Sequence, residues 1–234
     1  MDVAISGDRS SCLTQELAPG TFLFAVAHGF GRIDGQPVAP IVLSRLRSEF
    51  ERRTRGRRLR RALTRPKGVT GILIAAFNRI NEEVHARSAS HEDYITAGCS
   101  VTAALLLEDR AYLSHVGSTA AYLARDGYVV SLTKIDAFES NGLQVLTRAI
   151  GTANALEMSI CSFSLSAGDS LLLSGRRLTQ EEIKAGAPAE QLLVVHYTPA
   201  EPALSELPKA HARVPRLVTG VLATMLFYAL LCIS

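Results

Sequence analysis

No tryptophan occurs in this chain, lysines number four against 21 arginines, and aromatic residues make up only 6% of positions. With so few aromatics among the basic residues, a stacking platform for single-stranded nucleic acid is not supported, and no nucleic-acid partner is expected. The four cysteines, Cys12, Cys99, Cys161 and Cys232, lie far apart and form no CxxC or Cys/His ligand spacing. That argues against a zinc module and reads as reduced thiols in a cytosol-facing domain. There is no G-x-S-x-G and no convincing Ser/His/Asp set. The first residues, MDVAISGDRSS, lack a basic region followed by an apolar core, so no signal peptide is expected. GFGRIDG (29–35) spaces its glycines as G-x-G-x-x-x-G, and QPVAP follows where a helix should begin, so a dinucleotide loop is set aside.

What is present fits one sizeable globular domain plus an appendage: 234 residues, 47% hydrophobic and 20% charged. The net charge of +3 hides an asymmetry. From Arg45 to Lys67 there are eleven basic and two acidic residues, a local +9, which leaves −6 on everything else. Three readings of that basic run stand: a solvated helix face, docking on anionic lipid head groups, and binding of an acidic partner. At the C-terminus, LVTGVLATMLFYALLCI (217–233) runs 17 residues without a charge and reaches about 26 Å as a helix, the short end of a bilayer span. A buried core helix is the competing reading. The segment has no polar stripe, however, and the proline-rich residues 199–216 separate it from everything folded. It reads as a tail anchor, with Leu217, Val218, Val221, Leu222, Leu226, Phe227, Leu230 and Leu231 facing lipid. Lys209, His211, Arg213 and Arg216 on its N-terminal flank place the main domain, residues 1–198, on the cytoplasmic side of a single-pass protein.

Within that domain, Phe22 to Ala27 is a continuous apolar run suited to a buried strand that ends at His28. IVLSRLRSEFERR after Pro40 has helical spacing. A second helix is expected from Val69 to Arg87, with Ile72, Leu73, Ala76, Ile80 and Val84 on one face and Asn81, Glu82 and Glu83 mostly off it. From Ala97 the texture becomes β-rich. Three or four runs are separated by Glu108-Asp109-Arg110, Gly117-Ser118 and Arg125-Asp126-Gly127, the last a strong hairpin signal. MSICSFSLSAGDSLLLSG adds two strands and QLLVVHY another. The layout is α+β, a largely antiparallel sheet system with two long helices laid on it.

Taken in order, these motifs resemble the type-2C (PPM-type) metal-dependent Ser/Thr protein phosphatases over roughly residues 6–197. AVAHGFGR (25–32) stands where that family has a strand ending in V-x-D-G-M-G-G, and GCSVTAALL (98–106) where it has its G-T-T-A strand. HVGSTAAYLARDGYVVSLT (115–133) is similar to V-G-D-S-R-A-Y-L-x-R-x-G-x-x-x-x-L-T, and LTRAIG (146–151) to L-T-R-A-L-G. AGDSLLLSGRRLT (167–179) is similar to x-G-D-x-L-L-L-C-S-D-G-L-T, and AEQLLVVHY to the closing D-N-x-T-V-x-V-V strand. The resemblance implies an α-β-β-α sandwich of two sheets with helices outside both. It also implies a site at one end of the sandwich, where active members hold two Mg²⁺ or Mn²⁺ ions through aspartates and bridging waters.

The departures fall on those aspartates. His28-Gly29 replaces the first D-G, Ser118 stands in the G-D-S-R turn, Arg176 stands at the S-D-G-L aspartate, and Ala189-Glu190 replaces the closing D-N. Arg9 matches the family's phosphate-binding arginine, but five residues later comes Thr14 rather than a metal aspartate. A degenerate site is therefore expected, with no bound metal or other cofactor and with Arg9 and Arg176 as phosphate-binding candidates. The alternative is an active phosphatase with a rebuilt Mg²⁺ or Mn²⁺ site, or a transition-metal site that uses His28. His115, an odd offset from Ser118, is expected to point to the opposite face. The flap between Thr133 and LTRAIG and the family's late helices are expected to be short.

Overall fold

The computed structural model describes residues 1–54, 66–89, 97–185 and 191–198. All of them belong to one compact unit, Met1–Pro199. Most of the basic run (55–65), Ala189 and Glu190, the linker 199–216 and the apolar segment 217–233 lie outside the described residues. Among the described residues, no helix is long and apolar enough to cross a membrane.

Strand β1 (Asp2–Gly7) leads through a single 3-10 turn (Arg9–Ser11) into β2 (Cys12–Ala18) and β3 (Thr21–Phe30). A small ribbon, β4 (Arg32–Ile33) and β5 (Gln36–Pro37), precedes helices α1 (Val38–Thr54) and α2 (Pro66–Ala89). Then come β6 (Gly98–Leu107), β7 (Arg110–Val116), β8 (Ala120–Arg125) and β9 (Tyr128–Ser131). The hairpin β10 (Ala137–Ser140) and β11 (Leu143–Leu146), strands β12 (Ser159–Ser164) and β13 (Ser170–Ser174), the short helix α3 (Gln180–Lys184) and β14 (Gln191–His196) complete the unit. Two five-stranded antiparallel sheets result, ordered β1-β14-β13-β8-β9 and β12-β7-β6-β3-β2.

Period-2 alternation assigns every strand two faces. In β3, Phe24 and Val26 join Leu113, Leu123, Leu171, Leu173, Leu193 and Val195 in the layer between the sheets. Leu23, Ala25 and Ala27 point the other way, to Val42, Leu46 and Phe50 of α1 and Leu73, Phe77 and Ile80 of α2. β3 is thus buried on both sides, which is why it reads as an unbroken apolar run. On the outer face of the other sheet, among the described residues, Tyr122, Leu172 and Leu178 pack with Ile183 of the five-residue α3.

Several expectations need correction. β3 does not stop at His28: it continues to Phe30, pairing His28, Gly29 and Phe30 with Ser100, Cys99 and Gly98. β1 and β2 and the hairpin β10–β11 are strands that the apolar pattern did not mark. Pro40 lies inside the first turn of α1 rather than before it, where a missing N–H forfeits no intrahelical bond. GFGRIDG runs from the end of β3 through β4 into the β4–β5 turn, with Asp34 and Gly35 both at positive φ, a hairpin geometry unlike a phosphate loop.

Candidate functional site

Register brings the singled-out positions to one end of the sandwich. In one sheet, Gly7 pairs with Gln191, and Leu192 and Ala120 both pair with Ser174. The chain therefore leaves β1 toward Arg9 and β13 toward Arg176 at neighbouring strand ends. β1 and β13 flank β14, so Gly7 and Ser174 are two strand spacings apart, on the order of 10 Å. In the other sheet, Phe30 pairs with Gly98 and Val101 with Val116 at the same end. Residues 117–119 cross from one sheet to the other there.

That crossing is tightly built. Gly117 sits at φ +97°, and a Cβ on it would meet Ser100 Oγ at 2.2 Å, so glycine is required on both counts. Its N–H donates to Asp136 Oδ2 (3.0 Å), and the Asp136 N–H donates back to the Gly117 carbonyl (2.7 Å). Asp136, only 5% exposed, also pairs with Arg148, whose side chain is 37% exposed. Arg148 of the LTRAIG motif is thereby a structural clamp. The same motif docks on β6 through reciprocal Cys99–Ile150 backbone bonds of 3.0 and 2.9 Å.

Beneath the crossing lies a buried hydroxyl chain. The Ser118 N–H donates to Ser100 Oγ (3.0 Å), and the two serine hydroxyls are 3.3 Å apart. Thr102 Oγ1 lies 2.8 Å from Thr119 Oγ1 and 2.9 Å from His115 Nδ1. His115 thus faces the sheet–sheet layer with Thr102, its cross-strand partner, and lies on the same side as the serine pair. The odd-offset expectation fails because β7 ends at Val116 and the positive φ of Gly117 resets the alternation. His115 is 1% exposed, with no hydrogen-bond partner at Nε2. Burial pushes its pKa below the ordinary value, and Arg148 adds to this; Asp136 and the Lys134 and Gly117 carbonyls oppose it.

His28 is exposed at the strand end, and Gly29 is needed for packing: a Cβ there would lie 2.7 Å from the Ala39 backbone nitrogen of α1. Arg9 is exposed and makes no side-chain hydrogen bond or ion pair among the described residues. Asp8 beside it is occupied in capping the 3-10 turn, accepting from the Ser10 N–H and from the Ser10 and Ser11 hydroxyls. These bonds, led by the Ser10 hydroxyl, hold its pKa below the usual carboxylate range. Arg176 is exposed and turned onto α3: its Nη2 donates to Glu182 Oε1 (2.6 Å) and its Nη1 to the Arg177 carbonyl (3.0 Å). The guanidinium, with help from the Thr179 N–H, pushes the Glu182 pKa down to about 2.

Composition alone did not single out Ser100, Thr102, Thr119, Asp136 or Glu182 for this end of the molecule. Only Glu182 carried a usable signal, the T-x-x-E capping box Thr179–Glu182. Asn81 was placed off the apolar face of its helix, yet it is 1% exposed. It accepts the Gly151 N–H (2.8 Å) and donates to the Ala153 carbonyl (2.8 Å), tying α2 to the LTRAIG turn.

The donor chemistry of this end does not fit a pair of hard divalent cations. At the positions that the resemblance aligns with metal aspartates, the described residues are Thr14, His28, Ser118 and Arg176, none of them a carboxylate. Among the described residues, no three His, Cys, Asp or Glu side chains come together as a metal site. What the arrangement offers instead is cationic, with Arg9, Arg176 and Arg177 exposed at adjoining strand ends.

No protein-family model matches the chain, and no curated protein matches it in sequence. Solved structures do match in fold. The Streptococcus agalactiae serine/threonine phosphatase superposes with a TM-score of 0.66 at 15% identity, covering 84% of this chain and 99% of that one. The Mycobacterium tuberculosis serine/threonine phosphatase PstP/Ppp gives 0.59 at 18%, covering 82% and 95%. PppA, a regulatory component of the type VI secretion system of Pseudomonas aeruginosa, gives 0.56 at 16%, covering 83% and 96%. The chain therefore has the fold of the PPM-type Ser/Thr phosphatases, with a β-sandwich and few helices.

Proposed function

We propose that this chain is a membrane-anchored, cytoplasm-facing pseudophosphatase, a PPM-type sandwich retained as a phosphoprotein-binding or regulatory module. One observation carries the reading: the apolar frame is kept while the positions that hold metal in active members of the resembled family are His28, Ser118, Arg176 and Ala189. A metal-bound water is the nucleophile of that chemistry, and without carboxylates there is little to hold the ions that generate it. Binding needs less. Guanidinium groups such as those of Arg9 and Arg176 pair with phosphate oxygens through charge-assisted, two-pronged hydrogen bonds. The apolar segment 217–233 supplies the anchor. Anionic head groups are then one partner open to the basic segment from Arg45 to Lys67, beside a solvated face or an acidic protein; a basic residue not already paired contributes about 1 kcal/mol at such a surface.

The test is phosphothreonine-peptide hydrolysis by the full-length chain in detergent, with millimolar Mn²⁺ or Mg²⁺ and a metal-free control. The expected outcome is no turnover above the control, together with phosphopeptide binding that weakens in Arg9→Ala and Arg176→Ala. Metal-dependent turnover that disappears in His28→Ala would replace this reading with that of an active phosphatase carrying a rebuilt metal site.

A further inference from the structure

Arg176 does not project from the end of the sandwich as an open cation. Its side chain is 56% exposed, yet Nη2 lies 2.6 Å from Glu182 Oε1, and Nη1 donates to the Arg177 carbonyl at 3.0 Å. Glu182 is itself fixed. Its other carboxylate oxygen accepts the Thr179 N–H at 2.7 Å, and its own N–H donates to Thr179 Oγ1 at 3.1 Å, closing the capping box of α3. One carboxylate thus serves a helix cap and an arginine at once. Because the cap holds Glu182 in place, its pairing with Arg176 is intramolecular and pre-ordered, and any outside anion must compete with it.

Resting on the reading of Arg176 as a phosphate contact, we infer that Glu182 is an autoinhibitory residue. Its carboxylate occupies the Arg176 guanidinium in the resting domain and is displaced when a phosphorylated peptide binds. The competing carboxylate lowers the affinity of every ligand that needs Arg176. Weakly held acidic segments then fall below useful occupancy, while a phosphate dianion, with more charge and three acceptor oxygens, still binds. A glutamate carboxylate is ionised at every physiological pH, and the hydrogen bond from Arg176 favours that form further.

Substitution can separate the two jobs of Glu182. Glu182→Gln keeps an oxygen for the Thr179 N–H, since glutamine also completes a capping box, but removes the charge that holds Arg176. Thr179→Ala does the reverse, weakening the cap while leaving the ion pair. Fluorescence anisotropy would measure binding of a phosphothreonine peptide and its unphosphorylated form to full-length protein in detergent. Glu182→Gln should tighten phosphopeptide binding about three- to fivefold, the scale of an exposed ion pair. The gain should vanish in the Arg176→Ala background, a double-mutant cycle that isolates the coupling, and Thr179→Ala should not reproduce it. If Arg176→Ala weakens binding while Glu182→Gln leaves it unchanged, or if Thr179→Ala gives the same gain, the autoinhibitory role is wrong and the phosphate site stands. If neither wild type nor Glu182→Gln prefers the phosphorylated peptide, or if Arg176→Ala binds it as wild type does, the inference falls together with the assignment of Arg176 as a phosphate contact.

Discussion

His28 and His115 show how little a residue type says about its role. One is exposed at the end of β3; the other is sealed between the sheets against Thr102, with its second nitrogen unpartnered. A histidine buried as the neutral form couples stability to pH, and the sign follows from its lowered pKa. Below the ordinary value of 6.5 the unfolded chain takes up a proton that the folded chain resists. Stability from this group is therefore complete above about pH 6.5 and declines as pH falls toward the folded value, by up to about 1.4 kcal/mol per pH unit. Urea midpoints at pH 7.5 and 5.5 should differ in the wild type and differ less in His115→Gln. An equal loss in both proteins would assign the pH dependence to other groups. No pattern in HVGSTAAY marks His115 as inward-facing, because the parity count depends on where the strand ends.

At the scale of elements, loops are positioned here by single buried polar groups. Asp136 joins the β7–β8 crossing, the start of the β10–β11 hairpin and the LTRAIG motif, through Gly117, Arg148 and the bond from the Thr147 N–H to its carbonyl (2.8 Å). Asp136→Ala should cost about 2–4 kcal/mol, somewhat below the loss for a fully buried pair because Arg148 is partly exposed. Thermal melts would check this, with Arg148→Ala giving a loss of similar size and the double variant little more than either alone. Helices α1 and α2 are joined in the same manner. Glu49, 8% exposed, pairs with Arg52, Arg53 and Arg79, and Arg45 pairs with Glu83. Part of the basic run is therefore neutralised within the fold. The α1 and α2 patterns were legible because their apolar spacing is imposed by a single packed face. β1, β2 and the hairpin were not, because short half-exposed strands carry little apolar signal.

For the whole molecule, the proposed anchor makes a separate prediction. Full-length protein should float with liposomes through a density gradient, and deletion of residues 217–233 should leave it at the bottom. If the deleted form floats only with anionic liposomes, the basic segment is a second membrane contact; if the full-length chain fails to float, the anchor is wrong. The sequence by itself determined the order of the motifs and the apolar frame of β3, β6, β13 and β14, since these are matters of residue type and spacing. Gly117, Thr179–Glu182 and LTRAIG could likewise be read in place. Tertiary structure alone decided which of those residues meet. His115 joins Thr102 and Thr119, Asn81 holds Gly151, and Asp136 clamps a turn 19 residues earlier in the chain. Arg176 folds onto Glu182 instead of standing open. The physical reason is that apolar burial is repeated along each element and averages into a pattern. A buried polar contact is a single pairing between distant residues, fixed only once two sheets and their connecting turns have closed around it.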